Sequence, residues 1–146
     1  MNAPSPPEPP PERVIEVAAG LVFRAGRLLL TQRRAGDHLG GLWEFPGGKR
    51  EAGETFPECL RRELREELAI EVVVGRCLET VGHEYPGRRV YLEFYRCEWA
   101  AGEPQAIGCQ DLAWVTRETL GNYVFPAADA RLLARLTESG EWWQGG

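Results

Sequence analysis

Nothing in the 146 residues approaches the roughly 18 uninterrupted apolar positions that a membrane-crossing helix needs, so no membrane association is expected. The N-terminus also lacks a basic region followed by an apolar run, and a cytoplasmic location is the expectation that follows. Positive charge is scarce. With 17 Lys plus Arg against 22 Asp plus Glu, the net charge of -5 argues against a surface built mainly to hold a nucleic-acid backbone, and no stable nucleic-acid binding is expected. An acidic balance suits a site that borrows cations. The four cysteines, Cys59, Cys77, Cys97 and Cys109, form no C-x-x-C pair, which removes the usual zinc-knuckle and redox-dithiol patterns. They are read as reduced and mostly packed. His38 and His83 have no partner spacing and are treated as ordinary loop or strand residues. The length leaves no room for a second large core.

Six of the first eleven residues are proline, and a segment so poor in apolar side chains cannot offset its ordering entropy. Residues 1–13 are expected to form a disordered or polyproline tail, 14–140 one domain, and 141–146 a C-terminal tail. Trp142 and Trp143 in that tail have two readings, folding back on the domain or meeting a partner. Val14 to Phe23 and Leu28 to Thr31 read as a hairpin, and Trp43 to Phe45 as a short strand stopped by Pro46-Gly47-Gly48. Thr55 and Glu58 make a capping box with Pro57 inside the first turn, and Leu60, Leu64 and Leu68 follow at helical spacing. That predicts a helix from Phe56 to Leu68. Strands are expected at Ile70 to Val74, Leu78 to Val81, Val90 to Trp99 and Leu112 to Val115, with a turn at Tyr85-Pro86-Gly87-Arg88. A second helix is expected from Ala127 to Glu138. Strands, helix, strands, helix imply an α/β layered domain with a mixed sheet.

On the first helix, Glu63, Glu66 and Glu67 fall at i, i+3 and i+4 and share one face. Like charges on adjacent turns repel, so the face calls for compensation. A solvated surface with Arg61, Arg62 and Arg65 as partners would supply it; so would a hard divalent cation, since carboxylate oxygens suit Mg2+ and Mn2+. The loop before the helix favours the cation. Gly47, Gly48 and Gly53 let the chain fold tightly and bring Glu54 back towards the helix, and Arg62 has the spacing to hold a carboxylate by a bidentate contact.

Gly48, Glu54, Arg62, Glu63, Leu64, Glu66, Glu67 and Ile70 match the spacing G-x5-E-x7-R-E-U-x-E-E-x-G-U, where U is aliphatic. This resembles the signature of the Nudix hydrolases, with Ala69 in place of the final glycine. Residues 30–34, the run from Trp43 to Lys49, and Phe125-Pro126-Ala127-Ala128-Asp129 look like the MutT branch. The resemblance implies a Nudix-type α/β/α sandwich with a mixed central β-sheet. It also implies Mg2+-dependent hydrolysis of a nucleoside triphosphate to the monophosphate and pyrophosphate, in the service of cleaning the nucleotide pool. Family roles carried onto matching positions make Glu63, Glu66, Glu67 and the Gly48 carbonyl metal ligands. Glu63 is also the candidate general base, with Glu54 and Arg62 beside it. Arg34 and Lys49 are expected to meet phosphate oxygens, and Phe45 either stacks on the base or packs in the core.

Three positions depart from the pattern. Gly108 stands where many MutT-like chains have a further metal-binding glutamate, and only a reshaped loop would let Asp111 or Glu103 replace it. Ala69 adds a methyl group where a left-handed residue is costly, so an altered helix exit is expected. In the MutT pattern that the chain resembles, the position of Asp129 is an asparagine that reads the purine edge. The aspartate has two readings. As a carboxylate it would accept from guanine or 8-oxoguanine N–H groups or from cytosine N4-H2; as a helix N-cap it would serve structure alone. Two other functions compete: a catalytically weak nucleotide-sensing module, favoured by Gly108, and a lesion-recognition domain like the C-terminal part of adenine glycosylases, disfavoured by the acidic charge.

Overall fold

The computed structural model describes residues 13–144, so the proline-rich segment lies outside the described residues except for Arg13, which starts the first strand. The strands are β1 (Arg13–Arg24), β2 (Arg27–Gln32), β3 (Trp43–Glu44), β4 (Gly47–Lys49), β5 (Glu71–Tyr85), β6 (Arg88–Ala101) and β7 (Asp111–Val115). The helices are α1 (Phe56–Leu68) and α2 (Ala130–Glu138). All seven strands form one sheet in the order β3-β2-β1-β6-β5, with β4 on β1 and β7 on β2. The β1–β6 pair is parallel and the other pairs are antiparallel. The sheet is therefore mixed, as the order of elements implied.

Strand alternation loads both faces of this sheet. Ala18, Val22 and Leu29 join Leu60, Leu64 and Leu68 of α1 on one face, while Leu21, Phe23 and Leu28 join Leu132 and Leu136 of α2 on the other. Helices cover both faces, which gives the expected three-layer sandwich. Among the described residues no helix is long and apolar enough to cross a membrane.

β1 and β2 are joined only near their turn, at Phe23↔Leu28 and Arg24↔Arg27. Beyond it, β1 pairs with β4 and β2 with β3 and β7. This divergence opens the sheet on the side of the glycine-rich loop.

Several boundaries differ from the sequence reading. The two strands expected over Ile70–Val74 and Leu78–Val81 are one long strand, β5, interrupted by irregularities between Val74 and Glu79. The second helix begins at Ala130 because Pro126–Asp129 forms a tighter 3-10 turn first, closed by the Asp129 N–H on the Pro126 carbonyl at 3.1 Å. Gly140–Trp143 forms another such turn, and Trp142 and Trp143 are buried in the α2-side core. The indole N–H of Trp143 donates to the Leu136 carbonyl at 2.9 Å, so part of the segment read as a tail belongs to the packed unit.

The exit from α1 also corrects an expectation. Ala69 sits at φ 58, ψ 36, and its N–H reaches the Arg65 carbonyl at 3.1 Å, so alanine adopts the left-handed cap that glycine would. The helix end keeps its form and the alanine carries the strain. Ala69→Gly is expected to raise stability by about 1 kcal/mol, because the penalty for a Cβ in this region exceeds the entropy glycine adds to the unfolded chain. A melting temperature about 2–4 °C higher would record it; no rise would mean that the cap is unstrained.

Candidate active site

The glycine-rich loop approaches α1 because two positions have no side chain. An added Cβ at Gly47 would lie 2.0 Å from the Ala18 carbonyl oxygen, and one at Gly48 would lie 2.2 Å from the Glu63 carboxylate carbon. Only glycine lets β4 lie against β1 with Glu63 across it. The Thr55 capping box then starts α1: Thr55 accepts from the Glu58 N–H at 3.2 Å, and Glu58 accepts from the Thr55 N–H at 2.9 Å.

Arg62 ties loop and helix together. It donates to both Glu54 oxygens at 3.0 and 2.7 Å, to Glu63 at 3.0 Å, to Glu66 at 3.2 Å and to the Lys49 carbonyl at 3.1 Å. The fork geometry of a guanidinium makes this possible where an ammonium would not. Hydrogen bonds from Arg62 and from the Glu51 N–H hold the Glu54 carboxyl down at about 2. Burial pushes Glu63 the other way, upward, against the pull of Arg62. Glu67 is pushed up to about 7 by burial first, then by the charges of Glu63 and Glu44. Two half-buried carboxylates thus lie together with their charge only partly balanced.

These groups open onto a cavity of about 420 Å3. Gly48, Lys49, Glu63, Glu67, Gly108, Asp37 and Asp129 line it, and Leu92 and Phe94 of β6 contribute apolar surface. Burial, and secondarily the charge of Glu44, pushes Asp129 up to about 6. The 102–110 loop packs on the end of α1, with the Ile107 and Gly108 N–H groups on the Glu67 carbonyl at 3.2 and 3.1 Å and the Gln105 N–H on the Leu68 carbonyl at 2.9 Å. Orphan carbonyls of the helix end are satisfied in this way.

The donor set around Gly48 fits a hard divalent cation. Glu63, Glu66, Glu67 and the Gly48 carbonyl offer oxygen alone, and the neighbouring Cys59 is kept a neutral thiol because burial pushes it up to about 12. Burial first, and then acidic neighbours, push Glu63 and Glu67 up, so a cation beside them would favour their ionised forms. Among the described residues no three acidic, histidine or cysteine side chains close on one point; Arg62 holds Glu54, Glu63 and Glu66 instead.

The model of the NUDIX domain family matches residues 18–135, a span that includes the loop, α1 and Asp129. The chain belongs to the Nudix family. It is 38% identical over 126 residues to the 8-oxo-dGTP diphosphatase of Haemophilus influenzae, covering 86% of this chain and 93% of that one. It is 40% identical over 121 residues to the CTP pyrophosphohydrolase of Escherichia coli, covering 83% and 90%. The solution structure of the E. coli ORF135 protein superposes with a TM-score of 0.72 at 39% identity, covering 84% of this chain and 87% of that one. With the MutT of Aliivibrio salmonicida and Vibrio cholerae also among its structural neighbours, at 28% identity and a TM-score of 0.72, the chain falls in the MutT-like branch of the Nudix family.

The Nudix frame gathers some of the expected residues and leaves others outside. Gly48, Lys49, Glu63, Glu67, Phe45 and Asp129 line the cavity, whereas Glu54, Arg62 and Glu66 stand behind or beside it. Arg34 is not among the residues lining the cavity: its guanidinium donates to the Ile107 carbonyl at 2.6 Å and braces the 102–110 loop. Arg33 faces the cavity in its place, paired with Glu44 at 2.9 Å. Phe45 is only 4% exposed and packs against Phe94 and Phe125, with ring centroids 5.9 and 5.1 Å away, so it is a core aromatic with an edge on the cavity.

The Asp129 side chain makes no capping hydrogen bond to α2, which gives the cap reading of that residue no support. Glu103 pairs with Arg24 at 2.9 Å, and Asp111 accepts from the Leu112 N–H at 2.8 Å, so neither replaces the absent glutamate. The space at Gly108 is not vacant either. A Cβ there would lie 2.7 Å from the Glu67 carboxylate, and a longer side chain enters only if Glu67 moves. Glu44, Arg33 and Asp37 were missed; the clue was a carboxylate held between Trp43 and Phe45 at the entry to the glycine-rich loop.

Proposed function

We propose that the protein is a divalent-metal-dependent nucleoside triphosphate pyrophosphohydrolase that releases a nucleoside monophosphate and pyrophosphate. One observation carries the reading: a single cavity is lined by Glu63, Glu67, Gly48 and Lys49 and also by a half-buried carboxylate, Asp129, suited to reading a base. The volume of about 420 Å3 lies within the range usual for small-molecule sites. The relatives named as an 8-oxo-dGTP diphosphatase and a CTP pyrophosphohydrolase support the same reaction class.

Glu63, Glu66, Glu67 and the Gly48 carbonyl would hold Mg2+, with Mn2+ as a substitute. A bound metal ion there would neutralise the polyphosphate and lower the pKa of water. Glu63, half-buried beside Gly48 and oriented by Arg62, is the candidate base that accepts the water proton. Arg62 keeps Glu54 ionised and fixes the loop against the helix. Lys49 supplies an ammonium at the phosphate end, and Arg33 adds a second cation along the wall.

At neutral pH an ionised Asp129 accepts hydrogen bonds only. Guanine presents N1-H and N2-H2 side by side, matching the two oxygens of one carboxylate, while cytosine offers only N4-H2 on that edge. The expected order is therefore 8-oxo-dGTP or dGTP ahead of CTP and dCTP. Pyrophosphate release from these four nucleotides, with Mg2+ and with excess chelator, tests the proposal. Release confined to the metal-containing reactions is expected. Nucleotide binding without turnover would point to a sensing module instead.

A further inference from the structure

The bulge in β5 delivers a carboxylate to α2. Cys77 pairs with Tyr95 and Glu79 with Phe94, so Leu78 is an extra residue with no partner opposite. Bulges re-aim the side chains around them. Leu78 enters the core shared with Leu132 and Leu136, and Glu79, which strict alternation would send to the other face, reaches the same helix. Its side chain is 9% exposed.

Arg135 donates to Glu79 at 2.8 Å and to the Leu78 carbonyl at 2.6 Å, and Arg131 lies 3.5 Å from the same Glu79 oxygen. The two arginines stand one turn apart on α2, directly after Asp129. No side-chain capping bond holds Asp129 to the start of that helix, so its place in the cavity depends on where α2 lies. Glu79 is also the cross-strand partner of Phe94, which lines the same cavity.

We infer that Glu79 is a positioning residue for base selection: by holding Arg135 and Arg131 from the bulge, it fixes α2 over the sheet and Asp129 against the cavity. This rests on the reading of Asp129 given above. The Glu79 carboxylate is desolvated while Arg135 is partly and Arg131 largely exposed, so removing its charge leaves α2 seated by Leu132 and Leu136 and lets the helix rock slightly where Arg135 no longer ties it to β5. Small displacements of a substrate-contacting group are costly even when the change lies far from the chemistry.

The test measures kcat, KM and melting temperature with dGTP and CTP for wild type, Glu79→Gln, Asp129→Ala and the double variant. Glu79→Gln should raise KM for the preferred nucleotide roughly fivefold to tenfold, keep kcat within about twofold, and narrow the preference between the two bases. In the Asp129→Ala background the same change should alter KM less than about twofold, because the residue it positions is gone. Equal KM effects in both backgrounds, or a lowered melting temperature with KM intact, would reduce Glu79 to a stabilising ion pair. If Asp129→Ala itself leaves base preference intact, the assignment of Asp129 fails first, and that single variant identifies it. Should Glu79→Gln not fold, Arg135→Lys puts the same question, with the charge retained and the fork geometry lost.

Discussion

Glu63→Gln is expected to lower kcat at least about a hundredfold with the fold intact, and Glu66→Gln by a comparable factor. Glu63 combines three properties that a glutamine cannot reproduce. It can accept a proton; it carries negative charge across from Gly48, where no Cβ fits; and it takes a hydrogen bond from Arg62 at 3.0 Å. Glu66 is more exposed and is held by Arg62 at 3.2 Å, so its contribution comes through charge and metal binding. Neither change disturbs packing, because Leu60, Leu64 and Leu68 bury the opposite face of α1. Relief of repulsion with Glu67 should leave the melting temperature unchanged or slightly raised. Steady-state turnover across a Mg2+ titration, with thermal melts of each variant, checks both halves. Wild-type rates in both variants, or full activity in excess chelator, would defeat the assignment of this helix face.

The helix was readable from sequence because everything that makes it is local. Its cap, its leucine spacing and its three carboxylates lie within 55–68, and 3.6-residue periodicity puts the carboxylates on one face whatever the rest of the chain does. Gly48 was readable as a loop residue, but its closeness to Glu63 was visible only once β4 lay on β1. The cavity wall was less legible for a related reason. Glu44, Arg33 and Asp129 meet because β1 and β2 part after two residue pairs and because a 3-10 turn delays α2, and neither is written in a local pattern. Arg33 and Arg34 lie just past the end of β2, where strand alternation no longer says which side chain faces the cavity. Glu79 was hidden in a segment read as separate strands, since a bulge breaks the period that reveals direction.

Asp129→Ala is expected to lower kcat/KM for the best nucleotide by about tenfold to a hundredfold and to compress the spread among bases, since hydrogen bonds to a charged group carry that much discrimination. The side chain lines the cavity and makes no bond into α2, so the loss should fall on binding rather than on stability. Proton linkage sharpens the distinction. Burial, then Glu44, raises Asp129 from an ordinary 3.8 to about 6, so folding favours its neutral form. The stability it contributes is present below the unfolded value and is lost as pH rises through about 6. At neutral pH the charged aspartate therefore costs stability, and Asp129→Ala should melt at the wild-type temperature or above it. A helix cap would do the opposite and lose about 1 kcal/mol on truncation. The same shift gives binding a pH signature. As pH falls through about 6, one oxygen becomes a donor, an accepted N–H bond is lost, and KM for a guanine-type nucleotide should rise. Asp129→Asn presents one acceptor and one donor group at every pH, so its KM should be nearly flat over the same interval. Measuring kcat/KM for dGTP, 8-oxo-dGTP, CTP and dCTP between pH 5 and about 8, with melts of all three proteins, separates the roles, and an unchanged order of nucleotides with a lowered melting temperature in Asp129→Ala would overturn base reading.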